Sequence, residues 1–360
     1  MKVKKILKAV LCVVLALVVA VGGYVAYVFL SYHRLPDHLA LEVAHANGRT
    51  VEQDAPYHIV SWNIGFGAYE DDYGFFMDGG TQSWAWSRER LDANLERIGQ
   101  FLAEQDADFY LVQEIDLDST RSYHVDEEAR LESTLNPDGA YAHVLAQNYD
   151  SPFLLYPFTQ PHGASRSGVG TWSKYGIGSA LRRSLPIETG FTKFLDLDRC
   201  YSVSRISVAG GGELVLYNLH LSAYTSDGSI SNEQLRMLLE DMQAEYAAGN
   251  WCVAGGDFNK DLLGNSSDWF GKSDIEYTWA QPIPLDTFYG TAIKLIAPFD
   301  GAAPVPSCRN ADGPYHPGQY VLTVDGFLVS PNVTVTESNV VDTQFRCSDH
   351  NPVYMDFRLR

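Results

Sequence analysis

The chain has 360 residues, 46% hydrophobic and 12% aromatic, too many for a minimal fold and enough for a sizeable core in one large α/β domain or two average ones. Its formal net charge is −19 even with Lys2, Lys4, Lys5 and Lys8 at the start, so the rest of the chain sets a long-range field against polyanionic partners. Nothing has the Cys/His spacing of a zinc site, so a metal here would be a hard cation held through oxygen. Of the five cysteines, Cys12 and Cys252 read as small hydrophobes, whereas Cys308 and Cys347 could bridge in an extracellular domain.

Residues 1–8 form a basic start, and residues 9–30 are an uncharged apolar run long enough to span a bilayer as a helix. The lysines orient the N-terminus to the cytoplasm and everything after the run to the outside. The run ends in Tyr-Val-Phe-Leu rather than a small-residue cleavage site, which favours an uncleaved signal anchor over a secreted product. Residues 31–56 are polar with little periodicity and read as a tether, and the folded domain is expected over 57–360.

The domain opens with a strand that ends at Asn63. A loop over 65–86 follows, rich in aromatic and acidic residues. It reads as a packed surface loop or, more sharply, as a substrate lip or a set of membrane-surface aromatics. Ser87 is placed to cap a helix running to about Glu104, with Leu91, Leu95, Ile98 and Leu102 on one face. Strand 108–114 delivers Glu114, a helix is expected over 125–135 and a strand over 141–149, and the proline- and serine-bearing segment 151–167 reads as loop. Strands are then expected at 168–174, 176–182, 201–208 and 213–221, the last two joined by Gly210-Gly211-Gly212. Ser231 with Gln234 has the spacing of a capping box for a helix ending at Gly249. The run Trp251-Cys252-Val253-Ala254-Gly255-Gly256-Asp257-Phe258-Asn259 reads as a buried strand whose mouth presents Asp257 and Asn259 on one face. Residues 281–320 look like an insertion, 319–330 a strand and 352–360 a closing strand.

Polar residues that interrupt apolar strands therefore collect at strand ends: Asn63, Glu114, His220, Asp257 with Asn259, Asp325, and Asp349 with His350. Any one of these is unremarkable, since a lone histidine or carboxylate is usually structural. Their recurrence at separate strand mouths is what α/β sites are built from.

In order along the chain, WNIG (62–65), QE (113–114), NLHL (218–221), GGDFN (255–259), VDGFLVS (324–330) and SDHNPV (348–353) resemble the endonuclease/exonuclease/phosphatase superfamily, the DNase I-like fold, over residues 57–360. The resemblance implies a four-layer α/β/β/α sandwich of two mixed sheets and a metal-dependent phosphoesterase. By position it implies Glu114 as the principal Mg²⁺ ligand, with Mn²⁺ or Ca²⁺ as alternatives, joined by Asn63 and Asp349. It implies His350 facing the phosphate with Asp325 orienting its imidazole, and Asp257 and Asn259 holding the attacking water or the phosphate. His220 would donate to a phosphate oxygen, and Arg199 and Tyr149 match looser family positions. No covalent nucleophile is implied, and no nucleophile elbow or Walker loop is present in the sequence.

These readings lead to a membrane-anchored, extracytoplasmic Mg²⁺-dependent hydrolase of a phosphate mono- or diester. The acidic balance favours a phospholipid head group or soluble ester over nucleic acid, whose hydrolysis remains the alternative. A catalytically silent binding module on the same fold is the reading from a different class, opposed by the reactive side chains at every main site position.

Overall fold

Residues alternate between two environments along each central strand, and that alternation builds the layers. On β2 (Tyr57–Asn63) and β3 (Phe109–Asp116), Ile59, Phe109 and Leu111 point to one core while Val60, Trp62, Tyr110 and Val112 point to another. On β8 (Glu213–His220) and β9 (Trp251–Asp257), Leu214, Leu216 and Val253 share the first core, and Val215, Tyr217, Cys252 and Ala254 enter a third. The structure is a computed structural model and describes residues 2–187, 198–223, 228–275 and 277–360.

Helices α2 (Arg88–Gln105) and α3 (Glu127–Leu135) cover one outer face, and α4 (Ser229–Ala247) covers the other. The six-stranded sheet runs β14 (Val333–Val340), β15 (Val353–Leu359), β2, β3, β5 (Gly163–Ser173), β4 (Ala142–Leu154). The seven-stranded sheet runs β1 (Leu39–Leu41), β6 (Ile177–Ser184), β7 (Cys200–Ser207), β8, β9, β13 (Asp325–Val329), β10 (Lys294–Ile296). The result is the four-layer α/β/β/α sandwich that the resemblance implies.

Each sheet contains one parallel pair, β2–β3 in one and β8–β9 in the other. Parallel neighbours need a crossover, supplied by α2 and α4 respectively. Parallel strands end at the same edge, so Asn63 with Glu114, and His220 with Asp257, arrive at paired strand mouths. Strand β13 runs antiparallel to β9 and begins there, with Asp325 in register with Asp257.

Several segments differ from their sequence reading. The stretch 31–56 is docked rather than a free tether: β1 pairs with β6, Ala44 bridges His143, and Val51 is fully buried beside Val208. Segment 151–167 is largely strand, because β4 continues to Leu154 and β5 begins at Gly163. The 65–86 loop buries Phe66, Tyr69, Tyr73 and Phe75, so it is a packed loop and not a lip of exposed rings. Helix α4 starts at Ser229 behind Gly228; Ser231 Oγ donates back to Gly228 O, and Gln234 bonds Ser222 and Pro186 instead of closing a capping box. Segment 281–320 contributes β10 to the sheet and β11 (Cys308–Arg309), which pairs with β12 (Val321–Leu322). The predicted strand 319–330 thus divides into β12 and β13. Cys308 and Cys347 are both free thiols.

Helix α1 (Lys2–Ser31) has no buried residue and a mean hydropathy of 2.7 over its most apolar window, long and apolar enough to cross a membrane as an anchor or to serve as a signal sequence.

Candidate active site

The mouth of β9 depends on two glycines. A Cβ on Gly256 would sit 2.0 Å from Leu219 O, and its φ of +145° suits no other residue, so only glycine lets β8 and β9 close at this point. On Gly255 a Cβ would press on Phe327 and Leu111 at 2.7 and 2.8 Å. Beyond them Asp257 Oδ1 accepts the Asn259 amide at 2.7 Å, and Asn259, in the left-handed region that asparagine tolerates, donates Nδ2 to Leu221 O at 2.8 Å. Both side chains line one cleft together with Glu114, His220, Arg199, Asp349 and His350.

From the opposite sheet, Asn63 reaches across. Its Nδ2 donates to Asp257 Oδ2 at 3.1 Å and to Glu114 Oε1 at 3.2 Å, while its Oδ1 accepts from Gly65 N. Asn63, expected as a cation ligand, instead turns a donor to both carboxylates and spends its oxygen on the backbone. Glu114 adopts φ +57° where the β3–β5 register shifts between Val112 and Ile115, and such a bulge re-aims a side chain at a strand end.

His350 Nδ1 lies 2.8 Å from Asp325 Oδ2, which also accepts from Ser307 Oγ at 2.7 Å. Burial alone would push this imidazole toward neutrality, but the Asp325 carboxylate, helped by the Cys308 and Asp349 charges, holds the group well above its ordinary range. Its Nε2 lies 3.8 Å from Asp257 Oδ2 and 3.5 Å from Cys308 Sγ. His220 shows the opposite behaviour: burial, then the charges of Arg199 and His350, push it well below its usual range. Its Nε2 stands 3.5 Å from Asp257 Oδ2 and 3.9 Å from Glu114 Oε1, and its Nδ1 has no hydrogen-bond partner among the described residues. Burial pushes Asp257 up to about 7, with His350 pulling it down and Asp325 pushing it further up. Asp349 is also raised to about 7, first by burial and with the Glu114 and Asp78 charges adding to it against His350 and Arg309.

A cleft crowded with carboxylates raised in this way fits a hard cation. Glu114 and Asp349 offer oxygen donors facing the opening, the type that Mg²⁺ prefers. Asp257, Asp325 and His350 also present ligand atoms within 4.8 Å of one another, but His350 and Asp325 are already hydrogen-bonded together.

The structure brings Glu114, Asn63, His220, Asp257, Asn259, Asp325, Asp349, His350 and Arg199 to this one locality, with Arg199 Nη1 donating to His220 O at 3.5 Å. Tyr149 is not among the lining residues; it sits buried in β4 opposite Ser167. Several contributors escaped the sequence. Ser348 Oγ donates to Asn63 O at 2.8 Å and accepts the His350 amide, and Gln113 Nε2 donates to Asn218 Oδ1 at 2.7 Å between the two sheets. Both Ser348 and Asn218 lie inside the motifs quoted above, which was their available signal. Tyr69 and Asp78 belong to the aromatic and acidic 65–86 loop read above as a substrate lip, whereas Ser307 and Arg309, at and beside the short β11, had no signal in the sequence.

The Endonuclease/Exonuclease/phosphatase family model matches residues 60–350, spanning every strand-end residue just described. The chain belongs to the endonuclease/exonuclease/phosphatase family. It is accordingly a phosphoric ester hydrolase. Solved structures share the fold at low identity. An endonuclease/exonuclease/phosphatase from Beutenbergia cavernae is 20% identical with a TM-score of 0.57, over 84% of this chain and 72% of that one. A family protein from Leptotrichia buccalis is 14% identical with a TM-score of 0.56, over 84% of this chain and all of the other, 100%. ANGEL2, described as a 2′,3′-cyclic phosphatase and solved with adenosine-2′,3′-vanadate, is 16% identical with a TM-score of 0.55, over 89% and 98%. No curated protein matches the sequence.

Proposed function

We propose that this family member is a membrane-anchored, extracytoplasmic, Mg²⁺-dependent phosphoesterase that hydrolyses a phosphate mono- or diester by in-line attack of water. The observation that supports it is the convergence of Glu114, Asp257, His220 and His350 on one cleft although they come from three strands of the two sheets and the segment that precedes β15. Location outside the cytoplasm rests on the lysines in the first turns of α1, ahead of its apolar run.

Bound between Glu114 and Asp349, Mg²⁺ would neutralise the phosphate's charge and polarise its phosphoryl oxygen. The chain's own groups supply the rest. Asp257, raised toward neutral pH, is suited to take the proton of a water held between it and Asn259. His350, kept cationic by Asp325, acts as a donor to a phosphate oxygen from Nε2 rather than as the base. His220 stays neutral and donates without adding charge, and Arg199 supplies a fixed positive charge at the cleft wall. Asn63 ties Glu114 to Asp257 so that the two carboxylates keep their spacing.

The net charge of −19 favours a phospholipid head group or a soluble ester over nucleic acid as substrate. The test is hydrolysis by the full-length protein in detergent, with Mg²⁺ or with a chelator, of DNA, RNA, phospholipids and bis(p-nitrophenyl) phosphate. Chelation and His350→Ala should each remove activity by at least about 10²-fold with the circular-dichroism spectrum unchanged. Activity that survives the chelator would refute the metal requirement, and activity that survives His350→Ala would refute the site.

A further inference from the structure

Among the described residues outside α1, the exposed apolar side chains cluster most densely in the β4–β5 connection. Phe153 is 39% exposed, Leu155 41%, Tyr156 64% and Phe158 83%. Residues 151–161, SPFLLYPFTQP, carry no charge in a chain whose surface is otherwise strongly acidic. This lip is fastened to α1. Tyr24 Oη donates to Phe153 O at 3.2 Å and accepts from Leu155 N at 3.1 Å, and Tyr27 Oη accepts from Phe153 N at 3.0 Å.

The position along the helix gives the depth. From Lys8 to Tyr27 the helix rises about 28 Å at 1.5 Å per residue, close to the hydrocarbon thickness of a bilayer of about 30 Å. With the lysines at one boundary, Tyr24 and Tyr27 fall at the other, where tyrosine rings are favoured. Whatever is hydrogen-bonded to them sits at the same level. The lip also connects to the cleft through an unbroken series of ring contacts: Phe158 to Tyr156 at 6.0 Å, Tyr156 to Phe76 at 5.8 Å, Phe76 to Phe75 at 4.7 Å, Phe75 to Tyr69 at 5.5 Å. Tyr69 lines the cleft wall.

We infer that residues 153–158 form a membrane-docking lip. It lies in the headgroup layer of the leaflet at which α1 emerges and holds the catalytic cleft at the bilayer surface. The inference rests on the reading of α1 as a membrane anchor. Docking is apolar, with no basic residue in the lip, so it does not require anionic lipid.

The test uses the full-length protein in phosphatidylcholine nanodiscs, with the photocrosslinking substitution Phe158→p-benzoylphenylalanine. The control is Tyr289→p-benzoylphenylalanine, since Tyr289 is equally exposed at 83% but lies in the loop that packs beside α4. Lipid adducts at position 158 should exceed those at 289 by about 10-fold or more, without change when 0.5 M salt is added. Equal adduct yields at the two positions, or none at 158, would overturn the docking. Combining the probe with His350→Ala separates the two hypotheses: adducts should persist while hydrolysis is lost. Phospholipid hydrolysis without adducts at 158 sinks the lip alone, and adducts without hydrolysis of any ester sink only the proposed activity.

Discussion

Asp349 offers the most direct quantitative test of the cation site. Its carboxyl moves from an ordinary 3.8 to about 7, with burial as the first cause and the Glu114 and Asp78 charges adding to it. Roughly 3 units at 1.36 kcal/mol each means that ionising Asp349 in the metal-free protein costs about 4 kcal/mol of folding stability. The sign follows from the raised value. Below the unfolded-state pKa the group is protonated in both states and costs nothing; stability is lost progressively from there up to about pH 7, above which the group is ionised in both states and the loss is complete. Asp257, raised to a similar value, adds a second loss of the same sign. Asp349→Asn keeps the shape and deletes one of the two. In chelator, the wild-type melting temperature should fall between about pH 4 and pH 7 and level off above that, and Asp349→Asn should show about half that fall, a difference of roughly 8 °C at about 2 °C per kcal/mol for a domain of this size. Mg²⁺ should shrink the wild-type fall, because a ligand that binds only the folded state stabilises it, and should do much less for Asp349→Asn. Melting followed by circular dichroism on the full-length protein in detergent reads both effects. Parallel pH slopes for the two proteins in chelator, or equal stabilisation of both by Mg²⁺, would refute the reasoning.

Asp325→Asn should lower the turnover of bis(p-nitrophenyl) phosphate by about 10²-fold or more and shift the alkaline limb of the rate profile to lower pH, because the carboxylate that keeps His350 cationic is gone. An unmoved limb would show that Asp325 only fills space. Gly256→Ala should cost about 3 kcal/mol or more, since its Cβ meets Leu219 O at 2.0 Å on a backbone at φ +145°; a melting temperature within about 1 °C of wild type would contradict the close approach of β8 and β9.

What was legible in the sequence follows from how each segment is buried. Strands β2, β3, β8 and β9 are covered on both faces and end abruptly in a polar residue, so both strand and site residue announce themselves. Strand β14, VTVTESNV, lies at a sheet edge with its middle exposed, and its apolar alternation lapses after Val335. The outer half of β4 contains Pro152, which reads as a breaker but is tolerated because β4 is itself an edge strand. Ser231 and Gln234 have capping-box spacing, yet tertiary partners claim the glutamine, a competition that no local pattern encodes. Ser307 and Arg309 come from a stretch whose composition signals only loop, and β11 carries just two residues of regular strand to reveal it.

The same hydrogen bonds that shape the cleft also join the two sheets. Asn63 on one sheet donates to Asp257 on the other, and Gln113 meets Asn218 across the same gap at 2.7 Å, with Asn218 Nδ2 donating onward to Gly170 O at 2.8 Å. An amide strut has a fixed reach, and a buried donor left without its acceptor costs about 1–3 kcal/mol, so the spacing between sheets is specified by these pairs as well as by the apolar core. That spacing sets how far Glu114 stands from Asp257 and His220. The preorganisation a phosphoesterase needs is therefore not a late addition at the rim: in this chain it is the polar end of the interface that makes two sheets into one domain.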